Sequence, residues 1–289
     1  QRQMCIRDRV YESSMELEYA KQFSVDYYKD GYRLLATSDG TKILVIPEGK
    51  EAPKDLEKGI IVMQQPVQNL YLVSSSVMDI FDHLDALDSI RFSSQKEEDW
   101  YIEGAKKAMA RGDISYAGKY SKPDYEQIVS QKCTLAIENM MISHTPEVRE
   151  MLEDFGIPVM IEYSSYEKHP LGRVEWVRFF GTLLGKEKEA EKIFEKQKDI
   201  LKKVTADEKT DKTVAFFYIT SNGLVQVRQS SDYIPKMIKL AGGKYIFENL
   251  GDEEGARSTV NMQIEDFYQG ANCLLYTSPS PRDAHESRM

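Results

Sequence analysis

The chain has 289 residues, of which 41% are hydrophobic, and a formal net charge of −9. Such an acidic chain lacks the clustered Lys and Arg of a general nucleic-acid-binding surface. No apolar stretch reaches the roughly 20 residues that a membrane span requires. The length suits one large or two small domains with a substantial core.

Both ends of the chain differ from the rest. Residues 4–8 read MCIRD and residues 273–283 read CLLYTSPSPRD, and both peptides resemble translated adapter DNA from sequencing libraries. We therefore expect residues 1–9 and 273–289 to be foreign and residues 10–272 to be a fragment of the natural protein. On this interpretation the native N-terminus is missing and the C-terminal domain stops short, so the lack of a signal peptide says nothing about location.

Without these peptides the composition changes. The first nine residues carry a net charge of +2 and the last seventeen a net charge of zero, which leaves −11 for the rest. Cys5 and Cys273 fall in the terminal peptides, so Cys133 is the single cysteine between them. It lies in the apolar run CTLAI, where a buried, unreactive thiol is expected and no disulfide can form.

The first predicted elements are three short antiparallel strands. Phe23–Tyr28 and Tyr32–Thr37 flank a Lys-Asp-Gly turn, and Lys42–Ile46 follows an Asp-Gly turn. Turn residues between β-rich runs of this length are typical of hairpins.

From residue 70 the pattern alternates between strands and helices, which predicts a mainly parallel sheet with helices on both faces. Thr145 and Pro146 predict a capped start for the last of these helices. The predicted strands are Leu70–Val73, Ser89–Phe92, Leu135–Ile137 and Ile157–Glu162. The predicted helices are Val77–Ala86, Trp100–Ala110, Tyr125–Gln131 and Pro146–Phe155.

A long helical segment follows and leads into a second α/β unit. Residues 171–205 have apolar side chains at helical spacing, with Gly185 as the expected joint between two helices. The unit over residues 206–272 is predicted to contain a strand at Val214–Ile219, a strand at Leu224–Val227, a helix at Tyr233–Ala241 and a helix from Glu265. Because this unit is expected to be incomplete, Val214–Ile219 should form an exposed edge.

The order of these segments resembles the substrate-binding proteins of bacterial ABC importers for iron chelates, haem and cobalamin. The resemblance covers nearly all of residues 10–272 and implies two Rossmann-like lobes, residues 10–170 and 206–272, joined by a long bridging helix over 171–205. The segments that carry it are PDYEQIV from Pro123, LEDFGIPV from Leu152, FGTLLGKE from Phe180, LAGG from Leu240 and IEDF from Ile264.

The resemblance also implies partners and a location. A glutamate at the start of one helix in each lobe typically meets arginines of the membrane permease, and these positions match Glu126 and Glu265. The protein is then expected to be a monomer outside the cytoplasmic membrane, either as a lipoprotein held there by a lipid on a missing N-terminal cysteine or as a periplasmic protein. No cofactor is implied, because the metal chelate is the ligand.

In this class the ligand lies between the lobes, at loops that follow the carboxyl ends of strands. Arg173, Arg228 and Arg257 are expected to bind an anionic chelate if they converge, because guanidinium groups pair with carboxylates. The candidate ligand-binding residues are Ser75, Ser94, Met140, Tyr166, His169, Arg173, Arg228, Tyr233 and Arg257.

Metal and enzyme sites are the alternatives. No HxxxH or CxxC spacing predicts a zinc site, although His144 or His169 is a candidate axial ligand to haem or cobalt, with Met140, Met141 or Tyr166 as alternatives. Ser143, His144 and Glu138 are the residues an α/β enzyme would use, but GxSxG, P-loop and GxGxxG motifs are all absent from the sequence. A metal-cluster scaffold would need several thiolates, and Cys133 alone does not supply them.

Overall fold

The computed structural model describes residues 10–53, 55–205, 210, 212–251 and 258–271. They form two compact units. The first takes the described residues up to Glu167 and Leu171–Lys198, and the second takes Lys168–Pro170 and the described residues from Asp199 onward. Strands and helices occur in both units, so the predicted α/β class is confirmed.

The strands of the described residues are short. They are β1 (Tyr11–Ser14), β2 (Phe23–Tyr28), β3 (Arg33–Thr37), β4 (Lys42–Ile46), β5 (Ile60–Gln64), β6 (Leu70–Leu72), β7 (Ile90–Ser93), β8 (Ser115–Tyr116), β9 (Gly118–Lys119), β10 (Lys122–Pro123), β11 (Leu135–Glu138), β12 (Val159–Ile161), β13 (Thr213–Val214), β14 (Phe217–Ile219), β15 (Val225–Arg228), β16 (Lys244–Tyr245) and β17 (Thr259–Met262).

The helices alternate with these strands from β6 onward. They are α1 (Ser75–His83), α2 (Glu103–Arg111), α3 (Tyr125–Ser130), α4 (Pro146–Asp154), α5 (Pro170–Leu184), α6 (Glu187–Thr205), α7 (Tyr233–Leu240) and α8 (Ile264–Ala271).

The N-terminal strands form one mixed sheet in the order β1-β2-β3-β4-β5. The predicted antiparallel pairing of β2, β3 and β4 is confirmed, and β5 joins β4 in parallel. Successive side chains of β4 point to opposite faces. Ile43 and Val45 pack in the main core of the first unit, whereas Leu44 and Ile46 pack with Tyr32 on the other face.

A second sheet, entirely parallel, lies in the same unit. Its strand order is β12-β11-β6-β7-β8. The chain starts at the central β6, builds β7 and β8 on one side, and then crosses to β11 and β12 on the other. This is the doubly wound order in which the connections reverse direction between β6 and β11.

The segment predicted as a jointed helix is two helices. α5 ends at Leu184, Gly185 has a positive φ of 72°, and α6 begins at Glu187. α5 is a core helix of the first unit, with Trp176 and Phe180 fully buried. α6 has a narrow apolar face and crosses the boundary between the units, which falls after Lys198. No helix within the described ranges is long and apolar enough to cross a membrane.

The second unit contains a pair and a triplet of strands. β13 and β16 pair in parallel, whereas β14, β15 and β17 form an antiparallel sheet in which β14 is an edge. The strand predicted over Val214–Ile219 is therefore interrupted between β13 and β14. Its predicted exposure is confirmed, since Tyr218 and Ile219 of β14 are 55% and 58% exposed.

The predicted cap of α4 was wrong in its chemistry. Thr145 occupies the N-cap position and Pro146 begins the helix, but the Thr145 hydroxyl is buried and makes no hydrogen bond within the described residues. The backbone N–H of Thr145 donates to the Ile142 carbonyl at 2.9 Å, which ends a preceding 3-10 helix at Met140–His144. Thr145 has φ −140° and ψ 62°, outside the extended conformation typical of an N-cap, and its side chain makes no capping hydrogen bond.

Candidate ligand-binding site

Polar loops gather at the carboxyl-terminal edge of the parallel sheet. Four predicted ligand residues follow four of its strands: Ser75 after β6, Ser94 after β7, Met140 after β11 and Tyr166 after β12. Ligands of open α/β sheets bind at this edge, beside the point where the strand order reverses. These four predicted residues therefore lie at the carboxyl-terminal edge of the parallel sheet.

A cavity of about 330 Å³ opens at the same edge. Loops that follow β6, β7, β8 and β11 contribute to it, and its lining is polar and aromatic. Ser94 is the predicted ligand residue among them, and its hydroxyl donates to the Val73 carbonyl at 3.3 Å. The lining residues are Val73, Ser94, Gln95, Lys96, Asp99, Tyr116, Lys119, Tyr120 and Asn139.

A small hairpin, β9 with β10, forms one side of the cavity. Gly118 starts it with a φ of +84°, and a Cβ there would lie 2.4 Å from the Lys122 carbonyl oxygen. Only glycine fits both constraints. The buried Tyr71 hydroxyl donates to the Gly118 carbonyl at 3.2 Å. The hairpin is thereby fixed to the sheet, with Lys119 at the end of β9 and Tyr120 in the turn that follows.

The loop after β7 also lines the cavity and is held by Ser93. The Ser93 hydroxyl donates to the Gln95 carbonyl at 2.8 Å and accepts from the Gln95 N–H at 3.0 Å. It also accepts from Trp100 Nε1 at 3.3 Å. Because Trp100 is buried, it anchors the end of the loop that carries Lys96 and Asp99.

A buried carboxylate connects the loops after β6 and β12. Glu162 is 2% exposed. One of its oxygens accepts from the Ser74 hydroxyl and the other from the Ser164 N–H, both at 2.8 Å. Ser74 Oγ also lies 2.9 Å from Ser76 Oγ. This network fixes the edge of the sheet around the end of β11.

Glu138 is the second buried carboxyl group at this edge. It ends β11, is fully buried, and neither oxygen has a hydrogen-bond partner within the described residues. Burial raises the pKa of Glu138 to about 8, because a low-dielectric surrounding disfavours the charged form. Burial also raises the pKa of the neighbouring Tyr71 hydroxyl, and the Glu138 carboxyl group is the next largest cause of that rise. Asn139, next in the chain, lines the cavity.

The loop that precedes α5 is braced by one of the predicted arginines. Arg173 Nε donates to the Glu167 carbonyl at 3.3 Å, and its Nη2 donates to the Ser165 carbonyl. The rings of Tyr163 and Tyr166 meet edge to face at 6.0 Å, with Tyr166 53% exposed. Arg173 therefore supports the shape of this loop.

The predicted residues of the second unit have their own local contacts. Arg228 Nη1 donates to Ser258 Oγ at 3.3 Å and lies 3.8 Å from the Asp232 carboxylate. Tyr233 is the first residue of α7. Burial lowers the pKa of His169, and Lys236 lowers it further. Arg257 lies outside the described residues, so the predicted three-arginine site stays a prediction.

The candidate permease-docking residues occupy the predicted positions. Glu126 is exposed in the first turn of α3, where the Asp124 side chain caps the helix by accepting from the Gln127 N–H at 3.1 Å. Glu265 is exposed in the first turn of α8. A carboxylate is favoured at both places by the helix dipole, and the docking role stays a prediction.

The residues considered for metal binding do not cluster. Across the described ranges, no group of three or more His, Cys, Asp and Glu side chains is placed to hold a metal ion. His144 is exposed at the end of its 3-10 helix, and Ser143 Oγ donates to the Met140 carbonyl. Cys133 is half buried, and burial raises the pKa of its thiol to about 11, as expected for an unreactive cysteine.

No protein-family model matches the chain. The chain is similar to two uncharacterized lipoproteins of Methanocaldococcus jannaschii. The first is 26% identical over 271 residues, covering 83% of this chain and 64% of the lipoprotein. The second is 26% identical over 266 residues, covering 88% and 66%. The chain thus spans a little under two thirds of the length of these relatives.

Solved structures of bacterial binding proteins share the fold. An ABC transporter substrate-binding protein from Listeria monocytogenes has a TM-score of 0.54 at 15% identity, covering 70% of this chain and 72% of that one. A possible iron-binding periplasmic solute-binding protein from Staphylococcus epidermidis has a TM-score of 0.56 at 15% identity, with coverages of 71% and 74%. A periplasmic heme-binding protein of Vibrio cholerae has 0.54 at 16%, with 70% and 72%. The chain therefore has the fold of ABC-importer substrate-binding proteins.

Most of the residues that line the cavity were not predicted from the sequence. Gln95, Lys96, Tyr116, Lys119 and Tyr120 were not among the predicted residues. The last three lie on or just after β8, a two-residue strand too short for a periodic signal. The run YAGKYSK, with a glycine among aromatic and basic residues, is the local signal that marks a functional turn.

Proposed function

We propose that this protein is the solute-binding component of an ABC importer and that it binds a metal chelate, of the siderophore type, at the carboxyl-terminal edge of its parallel sheet. The observation that carries the proposal is the cavity of about 330 Å³ beside the switch point of a doubly wound sheet. The binding-protein fold supports it. The proposal assigns no catalytic step to the protein.

The proposal includes a location and a partner. Related proteins are described as lipoproteins or as periplasmic proteins, which supports a place outside the cytoplasmic membrane and an attachment by lipid. Glu126 and Glu265, each exposed at a helix start, would dock onto basic residues of the permease, because complementary charges set the orientation of such complexes. We expect a monomer to be the form that docks.

Tryptophan fluorescence tests ligand binding directly. Trp100 anchors a loop that lines the cavity, whereas Trp176 is buried among Phe23, Phe179 and Phe180 of the core. We expect saturable quenching on titration with a ferric siderophore, and Trp100→Phe should remove most of it while Trp176→Phe should not. Haemin and cyanocobalamin are the parallel titrations, and quenching by either alone would assign the cargo to that class. Folded protein that responds to none of the three would refute the proposal.

Permease docking is tested separately in cells that carry the protein and its permease. Glu126→Lys should abolish uptake of the bound chelate without changing its affinity, since Glu126 lies on α3 and does not line the cavity. Glu103→Lys is a matched control, because Glu103 is also exposed in the first turn of a helix of the first unit. Equal uptake by the two variants would reject the docking role.

A further inference from the structure

Two lysines from different loops line the same cavity. Lys96 belongs to the loop after β7, and Lys119 belongs to the β9–β10 hairpin. A single carboxylate, Asp99, lies with them among the lining residues, so positive charge is in excess there. This local excess contrasts with the net charge of −9 of the whole chain.

These ammonium groups are not committed to strong ion pairs. Lys96 lies 3.5 Å from Glu98, and both side chains are more than half exposed, a type of pair that contributes little. Lys119 has no carboxylate within 4.0 Å in the part of the chain that the structure describes. By contrast, Arg173 donates to two backbone carbonyls and Arg228 is engaged by Ser258 and Asp232. The cavity lysines are therefore the cations best available to a ligand.

The hairpin gives Lys119 a defined place. The left-handed backbone conformation at position 118 requires glycine, and the Tyr71 hydroxyl donates a hydrogen bond to the Gly118 carbonyl. Tyr116 and Tyr120 line the same wall and bring phenol groups that can donate hydrogen bonds to anionic oxygens. Together the lysines and tyrosines offer positive charge and hydroxyl donors from a preorganised surface.

We propose that Lys96 and Lys119 bind an anionic, oxygen-rich group of the ligand, such as the carboxylates or catecholates of a metal chelate. The inference rests on the proposed function and adds the ligand's charge and the residues that select it. It predicts discrimination by net charge: a negatively charged chelate binds, and a neutral or positively charged one of similar size does not.

The test compares chelates and lysine variants by fluorescence titration of the full chain. The probes are a negatively charged ferric tris-catecholate, haemin with its two propionates, positively charged ferrioxamine B and neutral cyanocobalamin. The variants are Lys96→Gln, Lys119→Gln and the double variant. Lys122→Gln is the matched control, because Lys122 pairs with Lys119 across the hairpin but does not line the cavity.

We expect each cavity substitution to weaken binding of the anionic chelate about tenfold, the double variant more, and Lys122→Gln to have almost no effect. Higher ionic strength should weaken wild-type binding and leave the double variant nearly unchanged. Preference for the tris-catecholate or for haemin distinguishes the two sources of anionic oxygen. Wild-type binding that is equally tight in the double variant overturns this inference alone. If the wild type binds none of the probes, both this inference and the proposed function fail.

Discussion

Glu175 provides the sharpest test of how the first unit is held together. This side chain of α5 is fully buried, and its two oxygens accept from the backbone N–H groups of Glu18, Tyr19 and Ala20 at 2.9, 2.8 and 2.7 Å. Arg178 Nη1 donates to the same carboxylate at 3.0 Å. One charged group thus satisfies three consecutive amides of the segment between β1 and β2, which have no strand partner of their own.

The substitution Glu175→Gln keeps the shape and removes the charge. A hydrogen bond to a charged group contributes about 1.5–3 kcal/mol. Breaking a buried ion pair costs about 3–5 kcal/mol when the remaining charge is left uncompensated, and the loss here falls at the lower end because Arg178 keeps Glu191 as a partner. Gln keeps one carbonyl oxygen, but its NH₂ group faces backbone donors. The separate contributions are not additive. We therefore expect the free energy of unfolding of the first unit to fall by about 3 kcal/mol.

Denaturant unfolding followed by Trp176 fluorescence measures this loss, since Trp176 follows Glu175 in α5 and is fully buried. Glu191→Gln is the matched control: Glu191 also pairs with Arg178, at 2.9 Å, but is 48% exposed, so we expect a loss below about 1 kcal/mol. Hydrogen exchange should accelerate at Glu18, Tyr19 and Ala20 in the Glu175 variant only. Similar small losses in both variants, with unchanged exchange at these amides, would refute the reasoning.

Three further substitutions address the hairpin, the helix joint and the buried acid. Gly118→Ala places a Cβ 2.4 Å from the Lys122 carbonyl oxygen, so we expect about 1–3 kcal/mol of destabilisation and weaker chelate binding in the same titrations. Gly181→Ala places a Cβ 2.4 Å from Ala190 Cβ, between α5 and α6, and should lower the free energy of unfolding by about 1–3 kcal/mol, measured as a lower denaturant midpoint. Glu138 loses its proton near its ordinary value of 4.5 when unfolded and near 8 when folded, because burial raises its pKa. The folded protein therefore holds the extra proton between these values, and the free energy of unfolding should fall as pH rises, by up to about 1.4 kcal/mol per pH unit. Glu138→Gln should remove that slope in a series of denaturant midpoints, and an identical slope in the variant would contradict the assignment.

Sequence patterns predicted elements wherever local chemistry marks them on both sides. β2, β3 and β4 were located because turns with glycine separate β-rich runs, and α4 because Pro146 opens it and Gly156 follows it. β1 and β5 were missed. β1 is exposed along most of its length and carries no apolar periodicity. β5 contains the apolar run IIVM between Gly59 and Pro66, a strand signal that the sequence-based prediction did not use.

The site was predictable only in part for a different reason. Strand ends predicted Ser75, Ser94, Met140 and Tyr166 at one edge, because the carboxyl ends of parallel strands share it, and of these four Ser94 lines the cavity. The cavity itself depends on the β9–β10 hairpin, whose position follows from contacts distant in sequence, such as Tyr71 with Gly118. Guanidinium chemistry predicted Arg173, Arg228 and Arg257 as anion ligands, and that site stays a prediction. In the structure Arg173 donates to backbone carbonyls, and the lysines that line the cavity were not predicted.

The buried carboxylates and the cavity lysines have complementary roles. Glu162 and Glu175 accept hydrogen bonds from groups that position loops or the N-terminal segment, and Glu167 does the same for the Lys21 and Gln22 amides. Negative charge that is buried is therefore used to fix the scaffold, whereas positive charge at the cavity remains available. A site built on loops held this firmly should bind its ligand with little rearrangement of the first unit. Affinity should then depend mainly on the charge of the ligand and on the cavity side chains that meet it.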